Sequence, residues 1–409
     1  MEVGILQLKV MKKSIFTLVA ACCAIPSLAQ LNGDGYYRIQ NAGTERYMSI
    51  VNNKIDNANK SAVKGGGSGY VYSMATVTGY ENVISDAGSI LYIESNNGSK
   101  YDFNIKGQGM YTYTLTGGMT LKIAQNSDKT YRLYGSQSGL TRDLSDVEST
   151  NEKECIYIAA KEDKAVFKWN IKPIDQTNEY FSISPEVLVD DKYYATVYFG
   201  FPVKVNSNMK AYYVKRTHTG TDLEEQVAEM TEISDGIIPP STPAIVECAS
   251  IWPTDNIVTL LKEEDVTTTY KDNKLKGQFF NYVKLTLSGK ESSTSLGQEL
   301  KNVTEYNEAT MRILGNVDGK LGFVKATADD LYLGKYLWGN RCYLPVSKAG
   351  DDITLVDAEQ FAVGIQNIAT EESAQGKVYS LTGTLMSENG MDNLPKGIYI
   401  LNGKKVIKK

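Results

Sequence analysis

What most constrains this chain is its punctuation. Short runs rich in Tyr, Val and Ile alternate with clusters of Gly, Asn, Asp and Ser. GYYRIQNA, RYMSIVNN, SILYIESNNG, MYTYTLTGG, MTLKIAQN, TYRLYGSQSG and VFKWNIKPI recur at near-even intervals before residue 176. MKAYYVKRT, STPAIVECA, LKGQFF, MRILGNV, KLGFVKA and RCYLPVS continue the pattern. No long stretch repeats apolar residues with the helical period. Strand-length runs at such spacing predict an all-β protein built of sandwiches or barrels. The 27 Tyr and 35 Gly agree, since Tyr suits strands and Gly suits turns.

At 409 residues the chain exceeds what one hydrophobic core serves, so two or three domains are expected. With 42% hydrophobic and 22% charged residues, each can bury a core. The net charge is −5, and removing Glu2, Lys9, Lys12 and Lys13, together +2, leaves −7 on the remainder. An acidic chain without a long Lys/Arg stripe is expected to bind neither nucleic acid nor an anionic lipid surface.

MKKSIFTLVAACCAIPSLAQ, from Met11, has the parts of a bacterial export signal. Lys12 and Lys13 supply the positive end. Ser14 to Ala24 form an apolar stretch too short to anchor across a bilayer of ~30 Å. Ser27-Leu28-Ala29 puts small residues where a signal peptidase inspects, which sets the mature start at Gln30 and leaves residues 1–29 as leader. The ten residues before Met11 read as an over-long gene start. Val19-Ala20-Ala21-Cys22 also fits a lipobox, so a lipoprotein anchored at Cys22 is the alternative. After cleavage at Ala29, Cys155, Cys248 and Cys342 remain, too few and too scattered for a disulfide framework. There is no CxxC motif or Cys/His cluster for zinc, and neither metal nor cofactor is expected.

Three parts are expected after the leader: 30–175, 176–362 and 365–409. The first begins LNGDGYYRIQNAGTERYMSI, whose opening imitates a calcium loop. An EF-hand would need an acid at Gln30 and a bidentate Glu at Asn41, and has neither. Asp34-Gly35 is therefore a turn before a strand at Tyr36–Gln40, with Asn41–Glu45 the next turn and a returning strand from Arg46. GYYRIQNAGTERYMSI resembles the opening hairpin of ricin-type β-trefoil lectin modules in secreted Bacteroidales proteins, and VFKWNIKPI resembles the late strand in which they bury a tryptophan, here Trp169. That resemblance implies three lobes and carbohydrate binding, although the Gln-x-Trp signature of sugar-binding members is replaced by Phe167-Lys168-Trp169.

In the second part, Asp190-Asp191 separates two strand candidates. TDLEEQVAEMTEI is expected to be a short helix or a solvated strand edge, and IIPPSTPAIVE a Pro-Pro bend before a buried strand. YYATVYFGFPV, AYYV and IPPSTPAIV resemble a β-sandwich of Bacteroidales surface proteins. In the third part, Asn402-Gly403 between Ile398, Ile400 and Val406, Ile407 predicts a hairpin with a type I′ turn. VYSLTG and LPKGIY resemble C-terminal sorting domains of the type IX secretion route, small β-sandwiches recognised by the secretion machinery. An ordinary hairpin whose Lys404, Lys405, Lys408 and Lys409 guard an edge is the alternative.

Catalytic chemistry finds little support. His218, the lone histidine, sits in the polar stretch KRTHTGTD and is expected to be an exposed loop residue. No GxSxG elbow, HExxH motif or phosphate-cradling loop is present; KGGGSGY lacks the required ending. The acid doublets Asp190-Asp191, Glu224-Glu225, Glu263-Glu264 and Asp329-Asp330 read as solvated turns, which leaves a glycoside hydrolase a minor alternative. Binding candidates are aromatic: Tyr111 and Tyr113, which share a strand face, and the loop-borne Trp252 and Trp338, each of which is expected to pack on its own domain. In TYRLYG, Tyr131 and Leu133 should share one face and Arg132 and Tyr134 the other. The expectation is a non-catalytic exported protein that binds glycan or a surface protein; a structural or adhesive protein is the alternative.

Overall fold

A computed structural model describes residues 31, 33–50, 69–71, 74–77, 83–96, 100–102, 114–115, 119–120, 122–137, 140–146, 156–175, 179–218, 226–279, 286–287, 290–291, 304–347, 352–358, 361, 377–380, 385–387, 390–391, 394–401 and 404–408. Its regular structure is all-β, with single-turn 3₁₀ segments between strands and a short α-helical turn at Ala358 and Phe361 among the described residues. The leader with Cys22, Ala29 and Gln30, as well as Tyr111, Tyr113, Cys155, Glu224-Glu225 and Asn402-Gly403, lie outside the described residues.

The first part opens with β1 (Gly35–Asn41), β2 (Tyr47–Ile50), β3 (Gly69–Val71), β4 (Met74–Val77) and β5 (Leu91–Asn96). Next come β6 (Lys100–Asp102), β7 (Thr114–Leu115), β8 (Met119–Thr120) and β9 (Lys122–Gln125). It closes with β10 (Tyr131–Gln137), β11 (Leu140–Asp146), β12 (Ile156–Ala159) and β13 (Trp169–Pro173). Six of these strands pair in a closed ring: β1 with β5, β5 with β6, β6 with β9, β9 with β10, β10 with β13, and β13 back on β1. The pairs β2–β4, β7–β8 and β11–β12 each fall, in chain order, between two ring strands, and β3 pairs with β12.

Alternation works as expected within the ring. Tyr131 and Leu133 are buried, whereas the Arg132 guanidinium lies 4.3 Å over the Tyr134 ring on the opposite face. Trp169 is fully buried, and its indole N–H donates to the Leu144 carbonyl at 3.1 Å, so the ring brings no unpaired donor inside. Asn41 organises the opening turn: its side-chain oxygen accepts from the Gly43 and Thr44 N–H groups while its amide donates to the Val166 carbonyl.

The second part carries two sheets. One orders β14 (Phe181–Ser182), β22 (Ile257–Leu260), β17 (Val203–Val205) and β20 (Ile237–Ile238). The other runs through β15 (Val187–Val189), β16 (Lys192–Val197), β21 (Ala244–Cys248), β18 (Lys210–His218), β19 (Val227–Glu232) and β29 (Ile353–Val356). It continues through β27 (Lys320–Val324), β26 (Met311–Val317), β28 (Arg341–Pro345) and β23 (Lys276–Gln278); β24 (Thr286–Leu287) and β25 (Lys290–Glu291) pair separately. The long sheet curls, so that Tyr198, just past β16, donates its N–H to the Asn340 carbonyl just before β28 at 3.0 Å.

Central strands of this sheet are buried on both faces, which is why β21 reads AIVEC without apolar–polar alternation. Ala244, Val246 and Cys248 join Ala195, Val197, Ala211, Phe181 and Val203 in one core. Ile245 points the other way, with Tyr194, Val214, Phe323, Leu344 and Ile353. The β15–β16 hairpin closes on Asp190 and Asp191, both at positive φ (50° and 58°), as a two-residue hairpin turn requires.

TDLEEQVAEMTEI corrects an expectation: its described end is neither helix nor solvated edge. β19 lies between β18 and β29, with Val227, Ala228 and Glu229 buried. Its tertiary partners override the helical preference of Glu and Ala, and Arg216 answers the buried Glu229 carboxylate. The tail sheet orders β31 (Leu385–Ser387), β30 (Val378–Tyr379), β32 (Gly397–Leu401) and β33 (Lys404–Lys408). Leu401 opposite Lys404 gives the two-residue hairpin register that Asn402-Gly403 predicts.

The first two parts share a core. Ala87 and Ile90 pack into the cluster of Phe181 and Phe201, and the Tyr36 ring meets Phe201 at 5.9 Å. Arg38, fully buried on β1, fastens the junction: it donates to Ser89 Oγ, the Val83 and Tyr180 carbonyls and Glu179. Glu179 also accepts from the Tyr47 hydroxyl and Lys172 Nζ, so the buried carboxylate is compensated from three sides.

Candidate functional site

Between β27 and β28 the chain builds a rigid loop. It starts at a capping box, in which the Thr327 N–H and hydroxyl both donate to Asp330 Oδ2 at 2.8 and 2.7 Å. Leu331 and Leu337 are buried as anchors on either side. Between them Tyr332 and Tyr336 exchange backbone hydrogen bonds of 2.8 and 3.0 Å, and the tip turns through Leu333 and Gly334 at positive φ (53° and 69°). Thr304 and Lys335 carbonyls accept from the Leu337 and Tyr306 N–H groups at 3.0 Å, tying the loop to the neighbouring segment.

Trp338 stands on this base. Its indole N–H donates to the Asp330 carbonyl at 3.0 Å, and its ring meets Tyr332 edge to face at 5.0 Å. The side chain is therefore fixed, yet Trp338 remains 47% exposed and Leu333 beside it 66% exposed. Lys335 Nζ lies 5.6 Å from the Tyr336 ring centre and pairs with Glu305 at 3.2 Å. The arrangement presents an immobile aromatic face whose own polar atom is already satisfied. It offers a surface for stacking.

Trp252 sits on a second rigid loop. Asn256, fully buried, accepts from the Ala249 and Ser250 N–H groups and donates to the Ile183 and Ser250 carbonyls. Ser250 Oγ then accepts from the Trp252 N–H at 2.9 Å. Trp252 is 59% exposed, which corrects the expectation that it packs on its own domain; Trp338 does pack on its own loop, against Asp330 and Tyr332, while about half of it stays exposed. The two rings are not brought together. Trp252 follows the Cys248 end of β21, whereas Trp338 precedes Asn340, which meets Tyr198 at the Ala244 end.

His218 is also corrected. It ends β18 opposite Val227, half-buried rather than on an exposed loop, and its Nε2 is enclosed without a hydrogen-bond partner. Among the acid doublets, Glu263-Glu264 and Asp329-Asp330 lie in exposed 3₁₀ turns, and Asp330 is committed to its cap. Burial pushes the Cys248 thiol up to about 12 and raises the Cys342 thiol as well, which favours the protonated form of both. Among the described residues no group of three His, Cys, Asp or Glu side chains is placed to hold a metal, and no helix is long and apolar enough to cross a membrane. Sequence reasoning missed Tyr332 and Leu333; the Leu333-Gly334 pair between two tyrosines in YLGKY was the available sign of a tight tip.

No family model matches the chain, and no curated protein matches it. Among solved structures it is similar to one described as "Structure and mode of action of a mosquitocidal holotoxin", with a TM-score of 0.24 and 10% identity. The match covers 77% of this chain and 34% of that one, so the chain spans about a third of the toxin's length. A likeness so remote transfers neither fold nor activity.

Proposed function

We propose that the chain is an exported, non-catalytic protein that binds glycan through the Trp338 platform. The observation that carries this reading is the fixed, half-exposed indole, with its N–H held by Asp330 and its edge on Tyr332. Stacking of a pyranose C–H face on an aromatic ring costs little entropy when the ring is already immobile. Export is read from the Met11 leader, with cleavage between Ala29 and Gln30 or lipidation at Cys22, and from the sorting-like tail.

The closed six-strand ring with its three intervening hairpins supports a β-trefoil for 30–175, of the ricin-type lectin kind. Two sheets facing one core support a β-sandwich for 176–362, and the four-stranded tail sheet supports a small β module for 365–409. A second reading, an adhesive protein that grips a protein partner, is favoured by Trp252, an exposed ring of the type that anchors interfaces.

Affinity electrophoresis and a glycan array test the first reading. Retention of the intact protein by a polysaccharide, lost in Trp338→Ala and kept in Trp252→Ala, is the expected result. No retention by any glycan removes the sugar. Export is tested separately: deletion of 365–409 should leave the protein in the periplasm.

A further inference from the structure

The tail sheet has two unlike faces. Val378 and Tyr399 are buried on one, and the Tyr399 hydroxyl donates to the Pro395 carbonyl at 2.8 Å. Residues directly opposite in antiparallel strands point to the same side, so the register defines the second face. Leu385 lies opposite Tyr379, Tyr379 opposite Ile400, and Ile398, two residues before Ile400, opposite Ile407. The register also sets Lys405 opposite Ile400 on this side, but every strand contributes an apolar residue to it: Leu385 is 43%, Ile398 42% and Ile407 66% exposed, and Met386, at the bulge of β31, is 44% exposed. Scattered surface apolar residues are ordinary, but an apolar row drawn from all four strands of one sheet is not.

Charge says what covers it. Residues 377–409 hold six lysines and two acids, a net +4, which leaves −9 on the rest of the chain. The positive charge of the chain is thus concentrated in its tail. Two copies meeting through this face would bring two +4 modules together, which like-charge repulsion opposes. An apolar face on a basic module matches instead an interface of acyl chains beneath negative headgroups.

We propose that the exposed face of the tail sheet, Tyr379, Leu385, Ile398, Ile400 and Ile407, docks onto an anionic lipid surface, with the tail lysines supplying the attraction and the apolar row the hold. This goes beyond glycan binding and does not depend on it.

The test is flotation of the full chain with vesicles of phosphatidylcholine alone and of phosphatidylcholine with phosphatidylglycerol. Binding to the anionic vesicles only, weakened several-fold as salt shortens the Debye length from ~10 Å to ~3 Å, is expected. Ile407→Asp, on an exposed edge position that folding does not require, should lower binding about ten-fold by removing an inserted apolar group. Ile407→Leu should bind as the wild type does, which separates insertion from misfolding. Equal binding to neutral vesicles, no binding to either, or unchanged binding by Ile407→Asp would each overturn the proposal. So would a concentration-dependent dimer abolished by Ile407→Asp without vesicle binding, which would make the face a self-interface.

Discussion

At the scale of single residues, the buried charges decide more than the exposed ones. Arg38 is enclosed and answers Glu179, two carbonyls and a hydroxyl. Truncating it leaves those acceptors in a dry junction, and Arg38→Ala should lower stability by about 3–5 kcal/mol in the first denaturation transition. Cys248 gives a second prediction. Burial raises its thiol from 9.0 to about 12, so the folded state keeps a proton that the unfolded state releases. That contribution is complete below pH 9 and is lost as pH climbs toward 12, so the melting temperature should fall over that window. In the native protein at pH 8, mass spectrometry should find Cys248 and Cys342 unmodified by iodoacetamide. The sequence offers both cysteines but no sign of their burial, because what encloses them comes from strands far along the chain.

At the scale of elements, the strands were legible wherever turn chemistry was strong. Tyr36–Gln40, the hairpin around Asp190-Asp191 and the register of Leu401 on Lys404 follow from local rules. β19 was not, since its burial comes from a parallel partner more than a hundred residues away, at Thr354–Val356. Trp169 was legible as a buried ring, whereas the outward setting of Trp252 and Trp338 was not: exposure depends on which neighbours the loop has already engaged. Paired glycines mark a tight place in the long sheet. Gly315 lies opposite Gly322, and a Cβ at Gly322 would stand 2.4 Å from the Ile353 carbonyl oxygen of the adjoining strand. Gly322→Ala should therefore push β27 from β29 and cost about 1–3 kcal/mol by urea titration, with no change at the Trp338 loop.

At the scale of the whole molecule, the boundary expected near residue 175 separates two strand systems without separating their cores. Ala87 and Ile90 belong to the cluster of Phe181 and Phe201, and Arg38 reaches past the boundary to Tyr180. A fragment ending at Asp175 would expose that surface and strand the guanidinium. Expressed alone, 30–175 should melt well below the corresponding transition of the intact chain, or aggregate; light scattering during a thermal ramp would distinguish these outcomes from independent folding. The sequence could mark the change of wording there, but a shared core is written in pairwise contacts that no linear pattern records.

β21 has an implication for how such a chain can change over generations. Its neighbouring side chains Ile245 and Val246 serve opposite cores, so inheritance cannot trade one of those cores for a foreign piece while sparing the other. Shuffling of gene segments has almost no freedom between Phe181 and Val356.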